Sequence, residues 1–133
     1  MKTIAFVCKG NSFKSIICER FAKELTNNFI IVSAGTNPAD KVNVEGAKIM
    51  EAKGLSMSNY RPHSLEELPK NIDYLVKMGC AVECPFVPAK ETIDFDMDQY
   101  PANTFEEKEI VVELLEKKVK EFIKSISKGV SQI

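Results

Sequence analysis

No sign of charge dominates this chain: 18 lysines and arginines stand against 19 aspartates and glutamates, and the like-charged runs are short. A basic field for nucleic acid or a charged surface for a membrane is therefore not expected, and the partner should be a small molecule. No stretch approaches the ~18 consecutive apolar residues of a membrane-spanning helix. The start, with one lysine and a strand-like apolar run, has no signal-peptide h-region or cleavage site, so a soluble cytoplasmic protein is expected. Four cysteines are too few and too unevenly placed for the disulfide scaffold of a secreted domain, so each is a packing group, a metal ligand or a redox reagent. Histidine occurs once, at His63, where a surface or capping role is expected before catalysis. No repeat, low-complexity tract or linker divides the chain. Its 133 residues suit one domain over 1–133, able to bury roughly two-thirds of the surface of the unfolded chain.

What is present is an alternation of strands and helices. Thr3 to Val7 reads as a wholly buried strand, and Ile17, Cys18, Phe21, Ala22 and Leu25 then follow at the spacing of one helix face. Phe29 to Val32 is a second apolar run, ended by Ser33-Ala34-Gly35; Asn43 can cap a helix to about Lys53, with Gly54 placed to stop it. Ser64 and Glu67 have capping-box spacing, as do Thr104 and Glu107. Ile72 to Val76 predicts a third strand, and Thr92 to Phe95 a weak fourth. Val111, Leu115, Phe122 and Ile126 mark the buried stripe of a last helix. The class is α/β, a small parallel four-stranded sheet with helices on both faces. Ligands of such sheets gather beyond the carboxyl ends of the strands, where Cys8 and Cys80 both follow strands.

Between Phe6 and Ser15 an apolar run stops at Cys8 and a polar loop hands over to a helix near Lys14. Such a loop can wrap an oxyanion: the backbone N–H groups of Lys9, Gly10, Asn11, Ser12, Phe13, Lys14 and Ser15 form a nest, the helix start is positive, and Lys14 adds a full charge. The same field favours a thiolate nucleophile at Cys8. Ser12 and Ser15 are candidate hydrogen-bond donors to it, and Asn11 can hold a strained turn. A small buried thiol ending a strand is the plain alternative for Cys8.

"VCKGNSFKS", from Val7 to Ser15, resembles the C-x5-R-S anion loop of the low-molecular-weight protein tyrosine phosphatase superfamily. "VSAG" at Val32 to Gly35 is similar to its second-strand signature, and Glu19 falls where its first helix usually has Glu. The resemblance covers nearly the whole chain and implies a phosphotyrosine protein phosphatase I-like fold. "MGCAVECPFVP", from Met78 to Pro88, resembles the loop of thioredoxin-coupled arsenate reductases. That resemblance implies roles: Cys8 attacks arsenate, Cys80 attacks the adduct and releases arsenite, and Cys84 takes over the disulfide. Thioredoxin or a similar dithiol then reduces Cys80–Cys84.

Two positions depart from the pattern. Lys14 stands where the motif has Arg, keeping the charge and losing the planar fork. Where the superfamily has an Asp-Pro pair this chain has Gln99-Tyr100, so Asp98 ranks first as the general acid, with Asp96 close by. A weakened acid hurts ester hydrolysis more than arsenate reduction, which favours the reductase. An ordinary solvated acidic loop is the alternative for Asp94, Asp96 and Asp98. Cys18 is expected to be a packing thiol, while Tyr60 and Arg61 are candidates for the rim. A phosphatase acting on phosphate monoesters and a non-catalytic anion-binding or redox-sensing homologue remain open. Cys80 and Cys84 have zinc-ligand spacing, but no second ligand pair accompanies them, and no metal or cofactor is expected.

Overall fold

The computed structural model describes residues 1–79 and 87–131, with side chains to residue 127. Strand β1 (Lys2–Cys8) leads into helix α1 (Lys14–Leu25), β2 (Phe29–Gly35), α2 (Val44–Ala52), a single 3-10 turn (Leu65–Glu67), β3 (Tyr74–Lys77), β4 (Glu91–Asp94) and α3 (Phe105–Ser131). All four strands are parallel in the order β2-β1-β3-β4. Cys8 lies beside Gly35, and Val7 beside Lys77. The chain leaves β1 to one side for β2 and returns on the other for β3. A topological switch point therefore lies at the carboxyl end of β1, where open α/β sheets hold their ligands.

Side chains alternate across β1. Ile4 and Phe6 join the larger core with α1, α2 and α3, while Ala5 and Val7 join a smaller one with Ile72 and Leu75, closed by Leu65, Leu68, Val87 and Ala89. Both faces are thus covered, one by three α-helices and the other by the 3-10 turn and the segment entering β4. Asn43 caps α2 by accepting from the Gly46 N–H at 2.9 Å, and the Ser64–Glu67 and Thr104–Glu107 boxes both close.

Some boundaries differ from the sequence reading. β2 runs on through Ser33-Ala34-Gly35, and β3 and β4 begin at Tyr74 and Glu91. Leu25 is 42% exposed rather than core, because α1 ends there and its apolar stripe stops at Ala22. The buried face of α3 is wider than the expected stripe, adding Val112, Val119 and Ile123, as a helix against a broad core requires. Among the described residues no helix is long and apolar enough to cross a membrane.

Candidate active site

The loop from Cys8 to Ser15 is shaped from outside. Thr36 N–H donates to the Cys8 carbonyl at 3.1 Å, Asn37 to Lys9 at 2.8 Å, Ala39 to Gly10 at 3.0 Å and Asn43 to Ser12 at 2.8 Å. In a planar trans peptide the N–H points opposite its C=O. Four carbonyls drawn outward by the 36–43 strap therefore turn the N–H groups of Lys9, Gly10, Asn11 and Phe13 inward, and these peptides form a concave donor surface. Gly35 makes the close approach possible, since a Cβ there would lie 2.4 Å from the Lys9 oxygen and 2.9 Å from the Asn11 nitrogen. Phe13 occupies the N-cap position of α1 with no side-chain cap, and no acidic residue sits in the first turn. Its ring lies against Gly46, where a Cβ would come within 2.7 Å.

Asn11 is the hub. It is fully buried and left-handed at φ 49°, a conformation asparagine tolerates better than most residues. Its Oδ1 accepts from the His63 N–H at 2.8 Å, and its Nδ2 donates to Ser15 Oγ at 2.7 Å. The His63 N–H can only donate, so it fixes which way the amide faces. Ser15 Oγ in turn lies 2.8 Å from Cys8 Sγ, within hydrogen-bond distance, and the Asn11 N–H donates to the same sulfur at 3.2 Å. Two polar contacts thus converge on Cys8 from within its own loop and the start of α1.

A pocket of about 230 Å³ opens above this sulfur, lined by Cys8, Lys9, Gly10, Asn11, Ser12, Phe13, Lys14, Met78 and Asp98. The sequence-predicted Asp98 thus faces the Cys8 loop. Gln99 turns away, its amide donating to the Asp96 carbonyl and carboxylate at 3.3 Å, and Asp94 accepts from the Asp96 N–H. Lys14 Nζ reaches the Met97 carbonyl at 3.4 Å. Ser15, on the buried side of α1, acts from beneath the pocket. Tyr60 and Arg61 do not line it; with His63 they border a separate polar depression beside Glu19 and Lys23. Cys80 and Cys84 lie outside the described residues. Among the described residues no cluster of three or more His, Cys, Asp or Glu side chains could hold a metal ion.

Cys18 packs as expected, fully buried with its sulfur 3.9 Å from that of Met78. Burial, and then the nearby Cys8 sulfur, push its thiol well above the usual range, so it stays neutral. Beneath the loop, the buried Glu19 accepts from Ser33 Oγ at 2.5 Å and from Lys23 at 2.6 Å, bracing α1 against β2. Sequence reasoning missed the 36–43 strap, the backbone of His63, Met78 and Gly79. Of these, the strap had no residue signal at all, because it acts through main-chain donors.

The family model described as low molecular weight phosphotyrosine protein phosphatase matches residues 3–132. The arsenate reductase of Staphylococcus aureus (strain bovine RF122 / ET3-1) is 34% identical over 102 residues, 71% of this chain and 77% of that one. An arsenate reductase solved in the phosphate binding state is 26% identical with a TM-score of 0.82, over 96% of this chain and 100% of that one. The fold is also that of a Corynebacterium glutamicum thioredoxin-dependent arsenate reductase, TM-score 0.79 at 23% identity over 97% of this chain, which spans 63% of that longer protein. The architecture, the loop and these likenesses agree on an enzyme of the phosphatase and arsenate reductase type, and the chain belongs to the low molecular weight phosphotyrosine protein phosphatase family.

Proposed function

We propose that the protein reduces arsenate to arsenite. The observation that carries the reading is that Met78, two residues before Cys80 in the chain, lines the Cys8 pocket. The wall facing the nucleophile thus leads straight into the segment bearing the other two candidate thiols. The Cys8 thiolate attacks arsenic, one arsenate oxygen leaves as water after taking a proton from the Asp98 carboxyl, and a thiol–arsenic(V) adduct stays in the cradle. Cys80 thiolate attacks the Cys8 sulfur; the S–As bond breaks, its electron pair stays on arsenic, and arsenite departs. Arsenic(V) becomes arsenic(III) as two thiols become one disulfide. Cys84 then displaces Cys8, and thioredoxin or a similar dithiol reduces the Cys80–Cys84 bond. Inward N–H groups of the cradle, among them those of Gly10 and Phe13, hold the oxyanion, while the Asn11 N–H serves the Cys8 sulfur.

Peptide mapping by mass spectrometry after arsenate treatment tests the relay. Cys8→Ser should form no adduct, Cys80→Ser should form no Cys8–Cys80 disulfide, and Cys84→Ser should accumulate that disulfide after one turnover. Cys8 still reduced in arsenate-treated Cys84→Ser, with wild type turning over, would refute the three-cysteine scheme. The second reading, hydrolysis of phosphate monoesters, draws support from Asp98 in the pocket, a carboxyl able to protonate an alkoxide leaving group. p-Nitrophenyl phosphate turnover unaffected by Cys80→Ser and Cys84→Ser would favour it.

A further inference from the structure

We propose that Lys14 is a positioning residue: its ammonium ties the Met97–Asp98 peptide to the anion cradle, keeping the Asp98 carboxyl in the Cys8 pocket, and the oxyanion is gripped by the backbone instead. Lys14 opens α1 at the rim of the pocket, and its Nζ is 3.4 Å from the Met97 carbonyl oxygen. That carbonyl also accepts from the Tyr100 N–H at 3.2 Å. Both lone pairs of one oxygen are thus engaged, and the turn that presents Asp98 is closed at its first residue. The Met97 side chain is fully buried, so the main chain entering Asp98 is anchored in the core.

On its other side Asp98 meets bare backbone. Gly79 has φ 91°, and a Cβ there would lie 2.9 Å from Asp98 Cγ, 2.9 Å from its nitrogen and 3.1 Å from Oδ1. The carboxyl is held between a glycine that yields no further space and a lysine that ties the preceding peptide. This placement gives the lysine that stands where the motif has arginine a partner of its own. A single carbonyl oxygen is a one-point acceptor, which suits a compact ammonium on a flexible stem, whereas the guanidinium fork suits two oxygens of one anion.

The proposal rests on Asp98 being the proton donor in the arsenate step, and the experiment separates the two. Amide hydrogen exchange is followed by NMR in the unliganded protein. In Lys14→Met, Tyr100 should exchange about fivefold faster than in wild type while the β1 amides stay protected, the loss of one hydrogen bond. Lys14→Arg, whose donors can still reach the carbonyl, should restore most of that protection. Lys14→Met should also slow single-turnover arsenite formation about tenfold in the wild-type background and less than about twofold in Asp98→Asn, since the two act as one unit. Inorganic phosphate should protect Cys8 from iodoacetamide at nearly wild-type concentrations. Unchanged Tyr100 exchange in Lys14→Met overturns the proposal, as do multiplicative effects of Lys14→Met and Asp98→Asn. A wild type that forms no arsenite would refute the reductase reading alone, and the exchange result would still decide the tether.

Discussion

On one wall of the Cys8 pocket, the carbonyls of Cys8, Lys9, Gly10 and Ser12 are all tied to the 36–43 strap, and Asn11 bonds in three directions. On the other wall, among the described residues, the turn before Asp98 is held by the Tyr100 N–H at 3.2 Å and the Lys14 ammonium at 3.4 Å, both on the Met97 carbonyl, with Asp96 at φ 52° and Gly79 at φ 91° beside it. Among those residues the first wall is moulded by a separate strap of main-chain donors, and the second by its own turn and Lys14. Tetrahedral anion recognition tolerates little positional error, so its donors are fixed before substrate arrives. The Asp98 carboxyl is placed instead by its own turn, by the Lys14 contact and by the bare backbone of Gly79.

Breaking the first wall should give the largest effects. In Gly35→Ala the new methyl would sit 2.4 Å from the Lys9 oxygen, and backbone on both sides leaves no side chain to yield. A loss of about 3 kcal/mol is expected from urea unfolding, with phosphate no longer protecting Cys8 from alkylation. Near-native stability with intact protection would mean that the strap is not the mould of the cradle.

Asn11 comes next, and two variants dissect it. Asn11→Ala removes the acceptor of the partly buried His63 N–H and keeps a residue with a Cβ at φ 49°, costing about 2 kcal/mol. Asn11→Gly loses the same side-chain bonds but relieves the backbone, so it should be the more stable of the two by about 1 kcal/mol. Equal stabilities would show that the hydrogen bonds alone decide.

Gly79→Ala tests the second wall. Here a left-handed alanine costs about 1–2 kcal/mol, to which the 2.9 Å approach to the Asp98 nitrogen adds, and the signature differs in kind. Displacing Asp98 should slow the single-turnover arsenate step while phosphate protection of Cys8 persists. Loss of protection as well would mean that the walls are coupled and that the contrast between them is wrong.

The sequence made one wall far more legible than the other. Cys8, Asn11 and Ser15 form a contiguous motif, because a nest is built from successive peptides and its chemistry is local in the chain. The parallel α/β class was legible for the same reason, through strand–helix alternation and three caps that closed as expected: Asn43, Ser64–Glu67 and Thr104–Glu107. The strap was invisible, because Thr36, Asn37 and Ala39 act through main-chain N–H groups that any residue but proline supplies. Gly35 is visible as a glycine, yet its purpose depends on a carbonyl 26 residues earlier in the sequence. On the acid side, alignment pointed to Gln99 as the position of the acid and neighbourhood to Asp98. Asp98 is the one that lines the Cys8 pocket, two residues after a left-handed Asp96, and no residue pattern announces a left-handed aspartate. The argument that a missing acid favours the reductase weakens accordingly, and the reading now stands on the pocket wall that leads into Cys80.

The smallest effect concerns how each wall responds to pH. The cradle is anchored by uncharged groups, whereas the stretch that carries Asp98 ends at the cap of α3, where the Glu107 carboxylate accepts from Asn103 N–H at 2.9 Å and Thr104 N–H at 3.0 Å. The Asn103 bond, followed by the Thr104 bond, holds Glu107 below the ordinary carboxylate range. Its folded value therefore lies below its unfolded one, so its contribution is complete above the ordinary glutamate value of ~4.3. It is lost as the pH falls through the lowered folded value. At neutral pH, Thr104→Ala, which removes the hydroxyl partner of the Glu107 N–H, should cost about 1 kcal/mol. As the pH falls below about 4.3 and through the lowered folded value, the Asn103 and Thr104 amides should lose protection relative to their intrinsic exchange, while Thr36 and Asn37 on the strap should not. Glu107→Gln should remove that difference, because an amide oxygen still accepts but no longer titrates. Equal loss at Asn37 and Asn103 would show that both walls soften together, and that the pocket is one cooperative unit with no separate hinge on its acid side.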